Sequence, residues 1–308
     1  MTSPDRAFIV AEARQTIARG SKSFRMASRL FDRETRERAW LLYTWCRACD
    51  DAADGQTLGH GAKGPADGAL ERLRQGTERA LAGEPTGELP FEALRLVAAE
   101  CAIPRRFVED HLAGFEMDLE GWRPRTEADL LLYCYRVAGA VGCMMAIVMG
   151  VDPEDLDTLD RAADLGIAFQ LANIARDVSD DHAMGRCYLP AEWLEERRVP
   201  SGEHLRFEHR RSLAALAARL GTLSDAYERS ARTGAQKLPF RSRWAVLSAA
   251  SIYGGIAREV VRRGPAAWDR RVVIGRPEKL GCLARGWREA RAGQAGAEPR
   301  DHLWTRPR

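Results

Sequence analysis

Between its prolines this chain carries long stretches of helical periodicity and almost no strand signal. Proline lacks an amide donor and breaks a helix interior, so fourteen prolines in 308 residues punctuate the chain into separate helical segments. The spacing predicts helices near 5–20, 33–54, 67–82, 91–101, 105–120, 127–149, 154–180, 206–234, 240–263 and 277–292. The best strand candidate, Arg271-Val272-Val273-Ile274, is short. No internal repeat and no shift in composition divides the chain. The simplest architecture is therefore all-α, one domain over residues 1–308, with the last ~15 residues a loose tail.

Two of the predicted helices end in acid clusters, Asp50-Asp51-Ala52-Ala53-Asp54 and Asp177-Val178-Ser179-Asp180-Asp181. In each, two aspartates four positions apart stack on one helix face, about 6 Å apart along the axis. Such like-charge pairs cost an isolated helix roughly 0.2–0.5 kcal/mol each, which suggests that something cationic sits against them. Oxygen-only ligand sets suit hard divalent cations, and Mg²⁺ in particular is held by a few carboxylates together with substrate phosphates. The clusters read as a metal–diphosphate site.

On a helical wheel Tyr43, Arg47, Asp50 and Asp54 form one stripe, and Gln170, Asn173, Asp177 and Asp181 form another, each flanked by apolar residues. A single polar stripe reads as a solvent face. Two stripes that end alike, each followed by a loop (55–68 and 182–190), read as the lining of a shared cavity. Asp51 and Asp180 lie off the stripes, so they are expected in supporting or solvent-facing positions.

Charge and cysteines narrow the setting. The net charge is only +3, but residues 241–308 hold 15 Lys+Arg against 6 Asp+Glu. That basic third suits diphosphates or an anionic membrane surface, or else an ordinary solvated face. Seven irregularly spaced cysteines point to a reduced compartment. Cys46-x-x-Cys49 lacks a second pair and reads as core thiols. No signal peptide is visible. The apolar run Val137–Val151 falls short of the roughly 20 residues needed to span a bilayer. The expected location is cytoplasmic, peripheral at the inner face of the membrane.

Five ordered motifs then carry a family resemblance over nearly the whole chain. They are Gly20-Ser21-Lys22-Ser23-Phe24, Tyr43-x-x-Cys46-Arg47-x-x-Asp50-Asp51-x-x-Asp54, Tyr133-Cys134-Tyr135-x-Val137-Ala138-Gly139-x-Val141-Gly142, Gln170-Leu171-x-Asn173-Ile174-x-Arg176-Asp177-x-x-x-Asp181 and Gly185-Arg186-x-Tyr188-Leu189-Pro190. The chain resembles the head-to-head prenyl synthases, the family of phytoene, squalene and dehydrosqualene synthases, and within it the bacterial phytoene-forming branch.

The resemblance implies an isoprenoid-synthase helical fold with a central cavity and the acid motifs facing each other at its mouth. Asp50, Asp54, Asn173, Asp177 and Asp181 are the implied metal ligands for Mg²⁺ or Mn²⁺. The aspartates with Tyr43 and Tyr133 form the implied catalytic set. Arg47, Arg176, Tyr253, Arg271, Asn173 and Gln170 are the implied diphosphate contacts, and Phe24, Ser28, Val137 and Val141 the hydrocarbon pocket. Gly20 and Ser28 are departures: some relatives carry a polar side chain at 20, and a larger residue at 28 would narrow the cavity. The implied reaction joins two geranylgeranyl diphosphates through a cyclopropyl intermediate to phytoene, with no NADPH and no nucleic acid partner. A C30 synthase using farnesyl diphosphate, and a non-catalytic helical assembly protein, stay open as alternatives.

Overall fold

The computed structural model describes residues 5–54, 68–293 and 298–308. The loop expected at 55–68 lies outside the described residues except for Gly68, as do the side chains of Lys22, Ser23, Ala53 and Asp54.

Thirteen α-helices follow one another among the described residues, with no strand: α1 Arg6–Gly20, α2 Lys22–Ser28, α3 Arg33–Asp54, α4 Ala69–Leu81, α5 Leu89–Cys101, α6 Arg105–Leu119, α7 Glu127–Cys134, α8 Ala140–Val148, α9 Leu156–Ala183, α10 Ala191–Glu196, α11 Arg210–Ala235, α12 Phe240–Arg263 and α13 Arg276–Ala292. Residues 271–274 run as irregular chain rather than the candidate strand, since no strand lies among the described residues to pair with them. Two short helices, α2 and α10, were not signalled by periodicity.

Local chemistry starts these helices where they start. Ser21 opens α2 by accepting from the Phe24 amide at 3.2 Å. Thr126 and Asp129 form a reciprocal cap on α7, and Asp155 accepts from the Thr158 amide to begin α9, leaving fewer orphan donors at each end.

The expected helix 127–149 is interrupted by a π turn, Tyr135–Gly139, between α7 and α8. Taken together, Glu127–Val148 is apolar enough and long enough to cross a bilayer, yet 61% of its most apolar window is buried within the chain. The buried helix expected from sequence is there, within an apolar stretch that starts earlier than Val137.

The long helix α9 runs through the middle, about 42 Å end to end at 1.5 Å per residue. It packs on α8, α11 and α12. Its contact with α8 and the π turn before it is backbone on backbone: a Cβ on Gly142 would lie 2.2 Å from the Ala162 carbonyl oxygen, and one on Gly166 2.2 Å from that of Ala138. The core is built around Trp45, Tyr135, Phe107, Trp193 and Tyr227, all fully buried.

The C-terminal segment is pinned rather than loose. Arg300 reaches Asp164 at 3.0 Å, Arg306 and Arg308 reach Asp160 at 2.8 and 2.9 Å, and the Trp304 amide donates to the Tyr227 hydroxyl. Asp160 and Asp164 are buried on α9, so uncompensated charge there would be costly, and the tail supplies the counterions. Part of the basic excess of the C-terminal third is thereby spent inside the molecule.

Candidate active site

α3 splits its side chains between two faces. Leu41, Trp45 and Cys49 are buried in the core, while Leu42, Tyr43, Cys46, Arg47 and Asp50 line a cavity of about 450 Å³. The other walls are Ser21, Phe24, Ala27 and Phe31 from the α2 region, Val137, Ala138 and Val141 from the π turn and α8, Phe169 and Asn173 from α9, and Tyr253 from α12. Polar groups thus meet a predominantly hydrocarbon wall in a single space. Gly142 lines it as well, so this glycine both allows close helix packing and leaves room.

At the α3 end of the site, Arg47 spans two acids, with Nη1 2.8 Å from Asp50 Oδ2 and Nε 2.9 Å from Asp51 Oδ1. Asp51, expected at a supporting or solvent-facing position, is the less exposed of the two, 15% against 45% for Asp50. Tyr43 stacks on Phe24 with ring centroids 5.4 Å apart. Burial, with Asp50 and Asp51 nearby, pushes its phenol up to about 12. A Cβ on Gly20 would lie 2.5 Å from the Tyr43 hydroxyl, so the glycine at this departure position makes room for that group. Asp54 ends α3, and its side chain lies outside the described residues.

The α9 acids are held differently. Asp177 is gripped by Arg176, whose Nε stands 2.7 Å from Oδ1, and by Arg271, whose Nη2 stands 2.9 Å from the same oxygen. Asp180 is exposed and 3.6 Å from Arg271. Asp181 is partly buried beside Asp177, Asp118 and Asp180, and desolvation with those charges pushes its carboxyl up to about 7, against the pull of Arg186. Asn173 faces the cavity one turn before Asp177, and its amide lies 3.5 Å from the Gln170 side chain. Tyr253 stacks on Phe169 at 4.0 Å.

The cavity brings together Phe24, Tyr43, Arg47, Asp50, Val137, Val141, Asn173 and Tyr253 from the sequence set. Gln170, Arg176, Asp177, Asp181 and Arg271 form the adjoining polar cluster on α9 and the segment before α13. Two residues fall elsewhere. Ser28 is fully buried but off the cavity, its hydroxyl donating to the Arg25 carbonyl and accepting from Trp40 Nε1 at 3.1 Å. The short helix turns Ala27, and Phe31 beyond it, to the cavity in its place. Tyr133 also misses the cavity wall: it is stacked between Trp122 and Tyr188, and its hydroxyl donates to Asp118 at 3.0 Å.

Asp118 is the group that sequence reasoning missed. It accepts from both Tyr133 and Tyr188, the latter at 2.7 Å, and its charge is felt at Asp181. Tyr188 lies in the motif Gly185-Arg186-x-Tyr188-Leu189-Pro190, but nothing around Asp118 on α6 marks it.

A divalent cation fits this donor set: Asp177, Asp180 and Asp181 lie within about one turn of α9, and carboxylate oxygens are the ligands that hard cations take. Burial first, and the charges of Asp177, Asp118 and Asp180 after it, raise the Asp181 carboxyl, the direction a cation there would reverse.

A helical molecule with an apolar cavity, basic and amide groups at one end and two carboxylate-bearing helices beside them defines a prenyl synthase of the helical class. Residues 17–278 match the squalene/phytoene synthase family. A 15-cis-phytoene synthase of Pantoea ananas is 44% identical over 305 residues, covering 97% of this chain and 98% of the relative. One of Enterobacter agglomerans is 43% identical over 294 residues, covering 94% and 99%. Among solved structures, a dehydrosqualene synthase in complex with a ligand superposes with a TM-score of 0.82 at 25% identity, covering 94% of this chain and 98% of that one. The chain belongs to the squalene/phytoene synthase family and is a prenyltransferase-type enzyme.

Proposed function

We propose that this chain, acting as one catalytic unit, joins two geranylgeranyl diphosphates head to head to give phytoene, the committed step into carotenoids. The observation that carries the reading is continuity: Arg47, Asp50 and Asn173 line the same cavity as Phe24, Val137 and Val141. A diphosphate held at the polar end therefore places its prenyl chain in the hydrocarbon end. Relatives named phytoene synthase at 41–44% identity support the C40 product.

Mg²⁺ or Mn²⁺ on Asp50, Asp177, Asp181 and Asn173, and on Asp54 by the resemblance, would neutralise charge on the departing diphosphate. Arg47, Arg176 and Arg271 offer planar forks matched to phosphate oxygens, and Tyr253 closes that end over Phe169. In the first half-reaction the donor's C1–O bond breaks, C1 bonds to the acceptor's double bond, and a proton is lost as the cyclopropane closes. In the second, the remaining diphosphate leaves, the ring rearranges, and loss of a proton leaves the central double bond. No reductant enters that balance. Tyr43 and Phe24 present aromatic faces to cationic carbon, and the apolar wall excludes water that would quench it.

The product is a water-insoluble hydrocarbon, which favours work at a membrane surface. Val273 and Leu280 are 70% and 63% exposed beside Arg270, Arg271 and Arg276, a surface suited to anionic lipid.

Incubating the purified chain with C20 or C15 diphosphate and Mg²⁺, with and without NADPH, tests the reading. A C40 hydrocarbon from the C20 substrate without NADPH is expected. A C30 product formed in preference from the C15 substrate would favour the dehydrosqualene or squalene alternative.

A further inference from the structure

The cavity does not end at the residues that sequence analysis assigned to it. It continues along α9 past Leu165 to Ala162, Arg161 and Thr158, and along α11 to Ala231, Gly234 and Ala235. On the α11 side this far end is walled by small residues, and on the α9 side the Arg161 head is held by hydrogen bonds. The Arg161 guanidinium is tied to Asp157 at 3.1 Å, to the Ser230 hydroxyl at 3.3 Å and to the Glu298 carbonyl at 3.0 Å. Its head is thereby committed, and its hydrocarbon stem is left for the cavity. α11 stands tight against that stem: a Cβ on Gly234 would lie 2.6 Å from Arg161 Cβ.

We propose that this end of the cavity, with Ala231 and Ala235 of α11 set against the Arg161 stem and Thr158 of α9, is the floor that measures prenyl chain length. The proposal rests on the reading above, with the diphosphate end at Asn173. At 1.5 Å of rise per residue, Ala162 lies about 17 Å and Thr158 about 22 Å from Asn173 along α9. An extended prenyl chain advances roughly 1.25 Å per carbon–carbon bond of ~1.5 Å, so a four-isoprene chain reaches about 19 Å and a three-isoprene chain about 14 Å. The C20 tip falls between Ala162 and Thr158. The C15 tip stops before Ala162, leaving the end unfilled and forfeiting its dispersion contacts.

Ala231 and Ala235 are one turn apart on one face of α11, and both are buried. Enlarging either intrudes where only the fourth isoprene unit reaches. The test is a competition between equimolar C15 and C20 diphosphates, read as the C30 to C40 product ratio, in Ala231→Leu and Ala235→Leu, with thermal melts alongside. The ratio is expected to rise about tenfold or more, within the ~5- to 150-fold range that overpacking a filled site produces. An unchanged ratio in folded, active variants would overturn the floor. If both variants fail to fold, Leu238→Ala decides: Leu238 lines the same end, and its removal should raise use of a C25 diphosphate relative to C20 about tenfold, no change again overturning the proposal. A wild-type enzyme that makes no C40 product in this assay would instead sink the functional reading, so the two failures are distinct.

Discussion

Arg176 closes its guanidinium on the carboxylate of Asp177, its own neighbour in the chain, with Nε 2.7 Å from Oδ1. A residue expected to hold diphosphate thus holds a residue expected to hold metal. Both roles would be served together: with Asp177 bound to a cation, the Arg176 guanidinium would be released to phosphate oxygens.

The two acid clusters should consequently respond differently to the same substitution. Asp50→Asn and Asp177→Asn should each abolish turnover. Asp50 is half-exposed and Arg47 keeps Asp51, so stability in the first variant should move by less than about 0.5 kcal/mol. Asp177→Asn leaves Arg176 with only 17% of its side chain exposed and no full countercharge from its neighbour, and should cost about 1–3 kcal/mol. Denaturant melts beside activity assays check the pair; equal stability loss in both would contradict the asymmetry.

Ser28→Phe should leave product length unchanged and lower stability. Its side chain is fully buried against Trp40 rather than on the cavity, and a ring there overpacks the core at a cost of about 1–3 kcal/mol. A shifted C30 to C40 ratio in a variant of wild-type stability would show that the position does face substrate.

The contrast between residue 28 and the stripes shows what could be read from sequence. Helix α12 has the bounds that its periodicity predicts, and so does α3, because each runs for several turns between clear breaks. Spacing within those helices placed Tyr43, Arg47 and Asp50 on one face without any knowledge of partners. Helix α2 has only seven residues, fewer than two full turns, so its facing cannot be projected. The π turn at Tyr135–Gly139 adds a residue to a turn without any signature in composition. Partnerships between distant segments were invisible for a different reason: Asp118 with Tyr133 and Tyr188, and the terminal arginines with Asp160 and Asp164, exist only once the chain is packed.

The pinned tail should be needed for stability. Arg300→Met removes the guanidinium that meets Asp164, a carboxylate with 1% of its side chain exposed. Breaking a buried pair from one side typically costs about 3–5 kcal/mol, and burial already raises the Asp164 carboxyl. Urea unfolding at neutral pH measures it. A midpoint equal to wild type would mean that the tail does not stabilise the fold.

Acid should destabilise the protein in part through His111. This residue is 2% exposed, its Nδ1 lies 3.2 Å from the Arg136 carbonyl, and its Nε2 is buried without a partner. Burial lowers its pKa to about 4. Between about pH 6.5 and 4 the unfolded chain binds a proton there that the folded chain refuses, so stability falls as pH falls through that window, by about 3 kcal/mol. His204, also lowered to about 4, adds to the same slope. In His111→Phe the loss over this range should shrink relative to wild type; identical pH profiles would remove His111 from the account.

Diphosphate counting tests the central claim most directly. Head-to-head joining of two C20 chains in one cavity requires that two diphosphates leave for every C40 hydrocarbon made, and that none leaves without a divalent cation. Measured together in one reaction with geranylgeranyl diphosphate and Mg²⁺, released diphosphate and hydrocarbon should stand at two to one, with both abolished by a chelator and restored by added metal. Diphosphate released as C20 alcohol with no hydrocarbon, or a two-to-one yield that persists in the chelator, would contradict it.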